Sequence, residues 1–177
     1  MVGKGRNVRA IHEASHSVIA RKLGIAVPRA SARSSLPHVM SVSAGYHADR
    51  SDVVAQIVGF EADAKVALAG WAANRREHPL RVFDLLEDAD ADTINAKNAI
   101  CCILLLKAGE PVPNEPGEVS VELERMDEEY WRLIAETAAL VDQYWPAIRR
   151  VAKHLERHDN IDQAELDRLI DVGMRAA

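Results

Sequence analysis

The sequence predicts a mainly α domain with a small β-hairpin between its first two helices. Three observations carry this. Apolar residues recur at i, i+3 and i+4 along most of the chain. That spacing lapses in one early stretch, between Gly24 and Asp49, where Pro28 and Pro37 accompany alternating small polar and apolar residues. The 177 residues, 48% apolar and 28% charged, have the balance of one ordinary globular domain spanning residues 1–177.

The first helix is expected over residues 8–23, where Val8, Ile11, Ala14, Val18 and Ile19 form one stripe and Gly24 marks the stop. Residues 30–35 and 39–45 read as the two arms of the hairpin, or as two irregular extended segments. Asp49 or Ser51 caps a second helix that runs to about Glu77, with Val54, Ile57, Val58, Ala62, Val66, Leu68 and Ala72 on its faces. Its small residues Gly59, Ala64, Ala67 and Gly70 mark it as a crowded central helix. The acidic run 87–92 precedes a helix over 94–107, as the unpaired N–H groups of a helix start favour, and Ile94, Ala99, Ile103 and Leu106 are expected in the core. Residues 109–117, with three prolines, form a loop. A long amphipathic pattern follows over 119–158, kinked or split by Pro146, and a last helix over 162–174 opens on a capping box of Asp162 and Glu165. Trp131, Tyr144 and Trp145 read as core.

Composition excludes several function classes. The formal charge is −5 and the 22 Lys and Arg residues are dispersed, so no basic stripe fits a nucleic-acid backbone. The longest uncharged apolar stretch, residues 99–106, falls far short of the ~20 residues that cross a bilayer. His12 and Glu13 interrupt the start of the chain, which therefore lacks the apolar run of an export signal. The neighbouring Cys101 and Cys102 read as reduced core residues, and the expected location is the cytoplasm.

The chemistry sits in the first helix, where His12-Glu13-Ala14-Ser15-His16 spells HExxH. Histidines four apart emerge on one side of a helix and reach one ion, while Glu13, rotated by one position, is left to act on water as general base. Two histidines leave zinc one protein ligand short of its usual three, so a further ligand must come from elsewhere in the chain. His154 and His158 share the four-residue spacing but lack the glutamate and are flanked by Lys153 and Arg157, which makes them a solvated helix end. His47 reads as a surface loop residue.

The segment Ala10-Ile-His-Glu-Ala-Ser-His-Ser-Val-Ile-Ala resembles the HEAGH helix of the FtsH-type zinc peptidases, the proteolytic domain of the membrane-bound AAA proteases. Further likenesses lie in Gly45-Tyr46 with Asp49-Arg50, in Ala67-Leu-Ala-Gly-Trp-Ala-Ala, in Asp92-Thr-Ile-Asn-Ala-Lys-Asn-Ala and in Ile161-Asp-Gln-Ala-Glu-Leu-Asp-Arg-Leu-Ile. The resemblance implies a helical fold with a small β element, zinc as cofactor, His12, His16 and Asp92 as its ligands, and Glu13 as the base. Asp88 and Asp90 compete with Asp92 for this third place, and helix geometry agrees in part with Asp92: two positions rotate a side chain by about 200°, so Asp90 points away from Asp92, while Asp88 lies on a similar side one turn earlier. Ser15 replaces the family's glycine, and these residues contain no GxxxxGK[ST] phosphate loop.

The expected function is zinc-dependent, ATP-independent hydrolysis of peptide bonds in flexible or unfolded polypeptides, with a separate unfoldase or self-association as partner. A non-catalytic adaptor or assembly module retaining the fold is the alternative, and hydrolysis of another bond at the same site a third reading. Glu13 favours catalysis, because a bare zinc clasp needs no base beside it.

Overall fold

The computed structural model describes residues 3–32, 52–79, 91–112 and 123–175. Among them, in chain order, are α1 (Gly3–Lys22), β1 (Arg29–Ser31), α2 (Val53–Glu77), α3 (Ala91–Ala108), α4 (Leu123–Gln143), α5 (Trp145–His158), β2 (Asn160–Asp162) and α6 (Gln163–Arg175). The protein is mainly helical with a small two-stranded antiparallel sheet. No helix among the described residues is long and apolar enough to cross a membrane.

Two apolar clusters meet on α2. On one side Ala62, Val66, Ala69 and Ala73 pack with Ile11, Val18 and Ile19 of α1, Ile148 and Leu155 of α5, and Leu166 and Ile170 of α6. On the other, Phe60, Ala64, Ala67 and Leu68 pack with Ala96, Ile100 and Ile103 of α3 and Leu133 and Ile134 of α4. The run of Ala and Gly in α2 lets neighbours approach it from both sides, as its small residues predict.

Helix ends follow their local chemistry. Gly24, at φ 81°, turns the chain out of α1, with Ile25 N donating to Ala20 O at 2.9 Å. Asp52 caps α2 by accepting from Ala55 N at 2.9 Å, in place of the expected Asp49 or Ser51, which lie outside the described residues. The long amphipathic segment does split at its proline: the break falls at Tyr144, and Pro146 sits in the first turn of α5, where its missing N–H costs nothing. Asp162 caps α6 by accepting from Glu165 N at 2.9 Å, but the Glu165 carboxylate turns to Arg168 Nε and Nη2, at 2.6 and 2.7 Å, instead of closing the box.

The structure adds one strand pairing and corrects two expectations, the burial of Ile94 and of Trp131. β1 pairs with β2, Arg29 opposite Asp162 and Ser31 opposite Asn160, so one edge of β1 takes a partner from the α5–α6 junction that the sequence did not name; the second expected arm of the hairpin, 39–45, lies outside the described residues. Ser31 Oγ and Ala32 N both donate to Asp159 O, at 2.9 and 3.1 Å, and extend this pairing. Val54 and Val58 on the first turns of α2 are exposed, Val54 to 71%. Ile94 is also exposed, since the buried side of α3 runs through Thr93, Ala96, Ile100 and Ile103. Trp131 is 57% exposed, while Tyr144 and Trp145 pack half-buried at the core edge under the Lys22 and Arg76 cations. Cys101 is buried and Cys102 half-buried, both as free thiols.

Candidate metal centre

His12 and His16 lie one turn apart on α1 and face α2 at the level of Val66, Gly70 and Asn74. Asp92, in the first turn of α3, reaches the same point. Its Oδ2 is 3.0 Å from His12 Nε2 and 3.1 Å from His16 Nε2, and the two Nε2 atoms are 2.9 Å apart. Among the described residues, this is the group of three side chains that gathers metal-ligating atoms. Asp88, Asp90 and His47 lie outside the described residues.

The surroundings fix what each ring presents. His16 Nδ1 is 2.7 Å from Val66 O, and a carbonyl only accepts, so Nδ1 carries the hydrogen. Neutral His16 therefore turns the lone pair of Nε2 toward Asp92 and His12. His12 Nδ1 is 3.2 Å from the Asn74 amide nitrogen, while Asn74 Oδ1 is buried without a hydrogen-bond partner. A half-turn of that amide brings the orphaned oxygen onto His12 Nδ1, where it accepts an N–H and leaves Nε2 its lone pair. Gly70 makes this approach possible, since a Cβ there would stand 2.6 Å from His12 Nε2.

Two imidazole lone pairs and a carboxylate oxygen crowded together repel unless a proton or a cation lies among them. Tetrahedral zinc with bonds of ~2.0–2.1 Å places its ligand atoms about 3.3 Å apart, close to the spacing seen here. The donor set therefore fits zinc with one position left for water; ferrous iron accepts the same set, and the neighbouring glutamate is the feature that favours hydrolysis. Without a metal, protons fill the role. Burial opposes ionisation of Asp92, but the hydrogen bonds and charges of His12 and His16 together outweigh it and hold the carboxyl well below the usual range. Burial likewise opposes the charged form of His16, but the bond and charge of Asp92, aided by Glu13 and Val66 O, raise this imidazole above its ordinary value.

Glu13 is buried on α1 one position past His12, close enough for its charge to act on His16, and its carboxylate stays outside the ligand trio. Ser15, fully buried, donates from Oγ to His12 O at 2.6 Å, so its hydroxyl is absorbed by its own helix. His154 and His158 stack with ring centroids 4.5 Å apart at the end of α5, with Glu165 Oε1 3.7 Å from His154 Nδ1. Burial and the charge of His158 lower the His154 imidazole.

His12, His16, Glu13 and Asp92 were legible in the sequence, whereas Val66 O and Asn74, which hold the two rings, were not. Gly70 was legible only as a small residue on a crowded helix. In comparison with known proteins, no family model matches the chain, and no curated protein matches it.

Proposed function

We propose that the protein is a zinc-dependent metallopeptidase that hydrolyses flexible or unfolded polypeptides without ATP. The observation that carries this reading is the convergence of His12, His16 and Asp92 within 2.9–3.1 Å of one another, beside a buried Glu13 on the same helix. The resemblance of the HExxH helix and of the Asp92 helix to FtsH-type peptidases supports it. When bound, zinc supplies Lewis acidity, lowering the pKa of water to ~7 and polarising a carbonyl. His12, His16 and Asp92 hold it, with Val66 O and Asn74 orienting the rings. The Glu13 carboxylate takes a proton from the attacking water and returns it to the leaving amide nitrogen. Its burial keeps bulk water from competing for that proton.

These residues carry no GxxxxGK[ST] loop, so the reading assigns unfolding of folded substrates to a separate unfoldase or to an assembly of several copies. The free thiols of Cys101 and Cys102 agree with the reducing cytoplasm as the working compartment. The test is cleavage of an unfolded protein by wild type and Glu13→Gln, each with and without chelator. Cleavage only by wild type, and only without chelator, is expected. Wild type that holds zinc but cleaves nothing would move the reading to a non-catalytic module.

A further inference from the structure

Arg9 lies on α1 three residues before His12, four before Glu13 and seven before His16. At about 100° per residue its direction falls among theirs, roughly 60° from His12, 40° from Glu13 and 20° from His16. It is half-buried, and its Nε is shielded from solvent with no hydrogen-bond partner. The other half-buried arginines among the described residues are both paired: Arg21 with Asp167 at 2.8 Å, and Arg132 with Glu61, Glu129 and Glu136. Glu13 stands at the i+4 position where a helix brings opposite charges together, yet no carboxylate among the described residues forms an ion pair with Arg9. A guanidinium with a shielded, unsatisfied donor on the face of the metal-binding histidines is a cation set to receive an acceptor from outside the chain.

We infer that Arg9 determines specificity by binding a carboxylate of the substrate close to the scissile bond. Arg9 is about 4.5 Å from His12 along the helix axis, and an extended peptide advances about 3.3 Å per residue, so that carboxylate lies within about two residues of the bond cut. Its source is either an Asp or Glu side chain or the free C-terminus of the peptide. The inference rests on the peptidase reading for the place of the scissile bond, and on Arg9 alone for the charge that is recognised.

The experiment uses the full, zinc-loaded chain and one parent peptide in three series: Glu scanned through each position, Gln at the same positions, and a free against an amidated C-terminus. Cleavage is read as kcat/KM, and binding as fluorescence anisotropy of the labelled peptides on Glu13→Gln protein. The expected result is a preference of about tenfold or more for a carboxylate at one place, the Glu and C-terminal series telling which source supplies it. In Arg9→Gln the preference disappears with an unchanged helical circular dichroism signal, Arg9→Lys retains part of it, and Arg9→Glu transfers it to Lys-containing peptides. A preference that survives Arg9→Gln, or wild-type cleavage indifferent to carboxylates, overturns the inference and leaves the peptidase reading intact. Arg9-dependent carboxylate binding without any cleavage sinks the peptidase reading and keeps the anion site. Neither cleavage nor a carboxylate-dependent difference in binding overturns both.

Discussion

A methyl group at position 70 would press on the ring of His12, so Gly70→Ala pushes one ligand out of register. The variant is expected to lose at least tenfold in zinc affinity, and about 1–3 kcal/mol of stability from overpacking, less the ~1 kcal/mol that Ala gains over Gly within a helix. Gly173→Ala is the control. Its Cβ would meet Ala147 Cα at 2.6 Å, far from the ligands by fold, so it should melt lower and titrate zinc normally. Asn74→Ala leaves His12 Nδ1 without its partner, and a loss of roughly 10–100-fold in zinc affinity is expected. Asp92→Asn should cost more, because a neutral amide oxygen replaces an anionic ligand. The same residues set a pH dependence. In the metal-free protein the depressed Asp92 carboxyl contributes stability above its unfolded value of about 3.9 and loses it as pH falls through its folded value. The raised His16 contributes fully below about 6.5 and loses its share as pH rises through its folded value. Metal-free wild type should therefore exceed Asp92→Asn in melting temperature most clearly near pH 5. Zinc uptake, which displaces the proton of His16, should tighten as pH rises.

Between elements, α4 is tied to α2 and α3 by charge as well as by apolar contact. Arg132 reaches Glu61 at 2.6 Å, Glu129 at 2.6 Å and Glu136 at 2.5 Å, while Lys65 and Lys107 complete the set at 2.7 and 3.0 Å. Burial opposes ionisation of Glu129 and Glu136, yet their cation partners hold both below the usual carboxylate range. Arg132→Met should cost about 1–2 kcal/mol near neutrality, between the values of exposed and buried pairs. Because folding depresses these carboxyls, their contribution is present above about pH 4.3 and lost as pH falls, so the gap between wild type and variant in thermal melts should close in acid.

Helix number and order were legible in the sequence because apolar spacing is a local property. What failed was the direction of single apolar residues. Ile94 and Trp131 were expected in the core yet face solvent, since which side of a helix is covered depends on neighbours that local spacing does not specify. The pairing of β1 with β2 was not legible for a related reason: Ala30 opposes Ile161, and nothing near either residue names the other.

For the molecule as a whole, the HExxH histidines were legible because four residues on one helix fix their shared direction, and Asp92 because an acidic helix start resembled a known ligand helix. Asn74 and the Val66 carbonyl were not. They come from α2, 62 and 50 residues along the chain from the rings they hold, and act through backbone and amide groups that leave no motif. The bundle brings α1, α2 and α3 together at one point, so metal binding there should stabilise the fold by mass action, and chelation should lower the melting temperature of zinc-loaded protein. The most direct measurement is a zinc titration of chelator-stripped protein with cleavage of an unfolded polypeptide followed at each step. In wild type, cleavage should rise from nothing and saturate at about one zinc per chain, as a three-ligand site with one open position requires. Glu13→Gln should bind the same zinc and cleave nothing. Cleavage that ignores zinc, or that survives Glu13→Gln, would contradict the account.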